Sequence, residues 1–166
     1  MFVGYKCFNK DLTNRYGMKY EVGKLYHVPG KVKFGNDGNG FHTCLRLEDT
    51  LRYFDAMHDM VAIGIVRCFG EYQEFEDNNN DWYDMYVYQN MIIEKIMLRE
   101  EIIAYALSLH AERAKRFISL FRLSEDEIIL FKDKFKNDIS VLNHIAYYQE
   151  DDKDVFNRYV KKREYR

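Results

Sequence analysis

The stretch VAIGIVRCF, residues 61–69, decides the fold. It is apolar and β-branched, too short for an ordinary amphipathic helix, and interrupted by only one charge, Arg67. Such a run reads as a strand near the centre of a sheet. The sequence before it is also patterned for strands. Residues 2–8 (FVGYKCF) and 19–28 (KYEVGKLYHV) are rich in aromatic and β-branched side chains, with partial two-residue alternation through Tyr20, Val22, Lys24 and Tyr26. Pro29-Gly30 and GNDGNG at 35–40 supply residues that accept positive φ and therefore turns, after which FHTC at 41–44 reads as a short strand. Leu47, Leu51 and Phe54 then recur at helical spacing behind Glu48 and Asp49, which predicts a short helix over about 47–57.

Beyond residue 69 the character changes twice. Residues 71–84 hold Glu71, Glu74, Glu76, Asp77, Asp81 and Asp84 with no Lys or Arg, around Asn78-Asn79-Asn80, which reads as an acidic loop or hairpin tip. Residues 85–98 alternate well enough to give one or two further strands. After Arg99 the period becomes helical. Ile102, Ala106 and Leu109 form one stripe, Ala114, Phe117, Ile118 and Phe121 another, and Ser124-x-x-Glu127 is a capping box that opens a third helix. Asp138 is placed to cap a helix carrying Ile139, Leu142 and Ile145, and Val155, Phe156, Tyr159 and Val160 mark a last one. The expected fold is α+β: a mostly antiparallel sheet with one short helix in residues 1–98, then a helical region in 99–166.

Composition narrows the chemistry. With 166 residues, 47% hydrophobic and 31% charged, the chain has the balance of a globular domain, and its net charge of −2 excludes a broadly cationic nucleic-acid or membrane binder. No segment approaches the roughly 18 apolar residues that span a bilayer. Cys7, Cys44 and Cys68 make neither an even disulfide set nor a CxxC pair, so reduced thiols in a cytosolic compartment are the simplest account. A metal shell of Cys7, His42, Cys44 and Cys68 has no supporting spacing, and Asp77-x-Asn79-x-Asp81 fails as a calcium loop because Trp82 stands where glycine is needed. No metal is therefore expected. The cluster Arg158, Lys161, Lys162, Arg163 and Arg166 offers a phosphate contact, but a solvated helix C-terminus explains it equally well, so nucleic acid is not the favoured partner.

Four blocks taken in order, GYKCFNKDLTNR (4–15), KYEVGKLYHV (19–28), NGFHTC (39–44) and VAIGIVRCFGE (61–71), resemble an uncharacterised domain family of phage and prophage proteins from low-GC Gram-positive bacteria. The resemblance implies origin rather than mechanism. Together with the absence of any complete catalytic constellation and the abundance of Tyr and Phe, it leads to the expectation of a phage accessory protein, cytoplasmic in the host, without cofactor and not an enzyme, that binds and modulates a host or defence-system protein. Its contacts are expected from Glu71, Glu74, Glu76, Asp77, Asp81, Trp82 and Asp84 together with the helical region. An acidic strip of this kind suits inhibition of a nucleic-acid-guided nuclease by phosphate mimicry.

A second resemblance sets an alternative. GFHTC and the following segment to Tyr53-Phe54 are similar to the strand–helix unit of ADP-ribosyltransferase-like folds. That likeness implies NAD as cofactor, Glu74-Phe75-Glu76 as the acidic motif whose last carboxylate stabilises charge at the ribose, and Tyr5 or His42 beside the nicotinamide. The first strand offers Tyr5-Lys6 where those enzymes place Arg or His.

Overall fold

The computed structural model describes residues 1–35, 37–75 and 84–150. They pack as two compact units, residues 1–54 with 60–97, and residues 55–59 with 98–150. The order of elements is α+β as the sequence predicts: strands β1 (Phe2–Asn9), β2 (Leu25–His27), β3 (Phe41–Thr43), helix α1 (Leu47–Thr50), β4 (Val61–Glu74) and β5 (Tyr86–Ile96), then helices α2 (Arg99–Leu107), α3 (Ala111–Leu120), α4 (Glu125–Lys134) and α5 (Ile139–Ile145).

The sheet is antiparallel throughout. VAIGIVRCF lies at its centre, with β4 paired to β1 on one side and β5 on the other, while the far edge of β5 is shared by β2 at residues 90–92 and β3 at 86–88. Just past β3 the ladder returns to its beginning. Tyr5 and Cys44 exchange both backbone hydrogen bonds, at 2.7 and 3.0 Å, so β1, β4, β5 and β3 form a ring joined at its last seam by one residue pair. Gly4 is needed at that seam. A Cβ on it would stand 2.5 Å from the Cys44 carbonyl oxygen and 2.4 Å from the Phe2 ring.

One face of the sheet carries the core. The register sets Phe2, Gly4, Lys6 and Phe8 of β1 opposite Cys68, Val66, Gly64 and Ala62 of β4. Phe8, Val66, Cys68, Met91 and Ile93 of this face are buried with Tyr20, Tyr26 and Phe41, whose rings meet edge to face. The opposite face buries Cys7 and Ile63, and α1 packs against β1.

Three elements depart from the sequence reading. β4 continues to Glu74 rather than stopping at Phe69, because Gly70 takes φ +89 at a register shift and lets Tyr72, Gln73 and Glu74 resume pairing with Tyr88, Val87 and Tyr86. The strand expected over 19–28 shrinks to Leu25–His27, since the chain bends at Gly23, φ +82, whose N–H is spent on Ile93 O at 2.9 Å. The helix expected to reach residue 57 ends as α1 plus a single 3₁₀ turn, Leu51–Tyr53, because Phe54 is extended.

The helical unit keeps the predicted caps. Ser124 Oγ accepts the Glu127 N–H at 3.2 Å while Glu127 returns a bond to the Ser124 N–H at 2.8 Å, and Asp138 accepts from Val141 N–H at 3.2 Å. Phe117, Phe121, Phe131 and Phe135 stack in its interior. Gln149 is fully buried and completes the end of α3: its amide donates to Ile118 O at 2.6 Å and Phe121 O at 2.8 Å, and its oxygen accepts from Leu123 N–H at 2.9 Å. The helix read at Val155 to Val160 lies outside the described residues.

The seam gives a direct test. Gly4→Ala places a methyl against a backbone oxygen that cannot step aside, so a loss of about 1–3 kcal/mol is expected in urea unfolding. An unchanged midpoint would contradict the close approach of β1 to Cys44.

Candidate functional site

A cleft of about 470 Å³ opens in the sheet unit where β1 and β3 part beyond Tyr5 and Cys44. Two side chains also link the strands: Thr43 Oγ donates to Tyr5 O at 2.9 Å, and Lys6 Nζ donates to His42 O at 2.6 Å. Lys6 is the unusual member. Strand alternation puts it between Gly4 and Phe8 on the core face, and among the described residues its partners are the His42 carbonyl and the Phe8 ring, 5.9 Å away, with no carboxylate. Burial holds its pKa below the ordinary lysine value.

The rim is built from two loops. Asn14 Oδ1 accepts the N–H groups of Tyr16 at 2.9 Å and Met18 at 3.0 Å, an Asx-type turn that presents Arg15 and Tyr16. The Arg15 guanidinium lies 5.3 Å from the Tyr16 ring centre and 5.9 Å from that of Tyr53. Opposite, Lys33 and Asn39 pair across a small hairpin, and Asn39 Nδ2 donates to Pro29 O at 2.7 Å and Lys31 O at 3.0 Å. Gly35 and Gly40 take positive φ on the two sides of this turn.

Electrostatics within the cleft are one-sided. Lys6 and Arg15 line it, and no Asp or Glu does among the described residues. Burial, reinforced by Lys6 and Arg15, pushes the His42 imidazole down to about 4. His42 is therefore neutral at physiological pH. Burial pushes the thiols of Cys7 and Cys68 up to about 12, away from the thiolate form that a nucleophile needs. All three cysteines are buried, and none is in a disulfide. Among the described residues no group of three or more His, Cys, Asp or Glu side chains is arranged to hold a metal ion, and no helix is long and apolar enough to cross a membrane.

The residues singled out from sequence fall into separate places. Tyr5 and His42 line the cleft together with Tyr53, while Glu74 does not. Glu74 is exposed at the end of β4 and accepts from the Tyr86 hydroxyl at 3.2 Å, and Glu71 is exposed on the same strand. Asp84 is half-buried and structural in its contacts, accepting from Leu45 N–H at 3.1 Å while its own N–H donates to Asp49 Oδ2 at 3.3 Å. Burial raises its pKa. Glu76, Asp77, Asp81 and Trp82, and the basic cluster Arg158, Lys161, Lys162, Arg163 and Arg166, lie outside the described residues. Lys6, read from the sequence only as standing where ADP-ribosyltransferase-like enzymes place Arg or His, and Arg15 are cleft residues that the sequence did not assign to a site. The signal for Lys6 was present, a lone charge in the inward set Phe2, Gly4, Lys6, Phe8.

Residues 2–82 match the model of a family described as a domain of unknown function, DUF7666. That stretch is similar to an uncharacterised domain family, as the sequence blocks suggest, and it contains every cleft residue except Met85. Comparison with curated proteins and with solved structures returned no match.

The shift of His42 fixes the sign of a pH effect. Its folded pKa lies below the unfolded value of 6.5, so the native state binds fewer protons between the two. Stability contributed by neutral His42 is present above pH 6.5 and is lost as pH falls toward 4. His144, also shifted down, has the same sign, so the readout is the difference between wild type and His42→Gln. The melting temperature of the variant is expected to fall less between pH 6.5 and 5, and parallel curves would contradict the burial of this imidazole.

Proposed function

We propose that the chain is a phage- or prophage-encoded accessory protein that acts by binding, and that it engages a host or defence-system protein through the β4–β5 end of its sheet. The phage origin rests on the four sequence blocks. The observation that carries the binding surface is the segment of β4 beyond the Gly70 bulge. There Tyr72 is 57% exposed, with Phe75 just past the strand end 37% exposed, flanked by exposed Glu71 and Glu74, and Tyr72 is stacked on Tyr88 at 5.1 Å. Aromatic anchors held in one orientation and rimmed by charge are the composition of interface hot spots. Their acidic surroundings suit a basic partner surface, such as the nucleic-acid channel of a guided defence nuclease.

Affinity capture from the natural host, with wild type beside the double variant Glu71→Lys/Glu74→Lys, tests this reading. A specific protein retained by the wild type and depleted about tenfold or more by the charge reversal is expected, since like charges across an interface cost several kcal/mol. Identical capture by both proteins would oppose it.

The cleft favours a second reading, an NAD-dependent ADP-ribosyltransferase-like activity. Its support is the convergence of Tyr5, His42 and Tyr53 on one cavity of a size usual for small ligands, about 300–1,000 Å³. In this reading an aromatic wall holds the nicotinamide end and Glu76 supplies the carboxylate. Nicotinamide release from millimolar NAD, lost about a hundredfold or more in Glu76→Gln, is the expected result. No release by the wild type would end the enzymatic reading.

A further inference from the structure

We infer that the β1–β3 cleft is a binding site for a nucleoside phosphate, with Lys6 Nζ and the Arg15 guanidinium holding the phosphate and the rim rings covering the base. The argument begins with Lys6. A lysine on the core face of a strand is costly to keep charged, and the usual remedy is a carboxylate beside it. Lys6 has instead one neutral acceptor, the His42 carbonyl at 2.6 Å, among the described residues. An ammonium has three donors, so further donor capacity remains beside a cavity.

Charge selects the ligand class. Two cations face a cleft without any acidic lining residue among those described, in a chain whose net charge is −2. His42, held neutral, adds no third charge. Two positive charges match a phosphomonoester, which carries about −1.5 to −2 near neutral pH. The remaining surface selects for a flat, apolar-faced group. Tyr16 is 68% and Tyr53 41% exposed, and both lie against the Arg15 guanidinium. Nucleobases stack on such tyrosine and arginine faces without needing a particular sequence of hydrogen bonds. A free phosphate would satisfy the cations and leave the rings uncovered, whereas a nucleoside would do the reverse.

The site goes beyond the protein-partner reading, and it shares a cavity with the NAD reading but requires no catalytic carboxylate. Isothermal titration of the full chain with AMP, GMP, CMP and UMP, with adenosine and inorganic phosphate as the two halves, tests it. At least one nucleotide is expected to bind about tenfold or more tighter than either half, with affinity falling as salt is added. Lys6→Met should weaken that nucleotide by about tenfold or more, the scale of one charge-assisted hydrogen bond, while leaving the melting temperature equal or higher because a buried charge has been removed. Arg15→Ala, in an exposed loop, supplies a second variant whose folding is not at stake. Absence of binding by all four nucleotides at millimolar concentration, or unchanged affinity in both variants, would overturn the inference. Nucleotide binding without nicotinamide release would uphold it while the enzymatic reading fails.

Discussion

The two hydrogen bonds between Tyr5 and Cys44 are the constraint from which the rest of the sheet unit follows. A sheet of β1, β4, β5 and β3 left open would expose the outer edge of β1 and the outer edge of β3, each a row of unpaired backbone groups. Joining them at one residue pair satisfies both edges at that point and fixes where the strands must touch. The contact is close enough to require glycine at position 4. Because the pairing extends no further, the strands diverge on the Lys6 and His42 side, and the cleft is the space they leave. Cavity and closure are two results of the same geometry.

That geometry also explains an electrostatic oddity. The alternation that buries Phe8 puts Lys6 on the same face, so the charge cannot be moved to solvent without shifting the whole strand. It is stabilised locally by a carbonyl of the strand across the gap and by the face of Phe8. The neighbouring imidazole is kept neutral by its own burial, reinforced by Lys6 and Arg15. The sheet thus holds a positive site against the overall sign of the chain.

Much of this was legible in the residues. VAIGIVRCF is the central strand, and Ser124 with Glu127 and Asp138 cap the helices they were expected to cap, because those signals are local. Where reading and structure part, a glycine or a distant partner decides. Gly70 is written like a strand end and acts as a bulge, since only the presence of Tyr88, Val87 and Tyr86 across the gap lets pairing resume. Gln149, a polar residue in a helical stretch, gives no hint that three backbone groups at the end of α3 depend on it. The cleft was half legible. Tyr5 and His42 were noticed, whereas Arg15 reaches the site only through the turn that Asn14 folds, and no periodicity records such a turn.

Amide hydrogen exchange resolved at single residues tests the closure of the sheet most directly. If Tyr5 and Cys44 hold each other as described, their amides are protected to the same degree as those of Val66 and Met91 in the central strands, because opening the seam requires opening the unit. Exchange of both amides at the rate of the exposed loop around Gly17, with the β4 and β5 amides still protected, would show an open sheet and contradict the account.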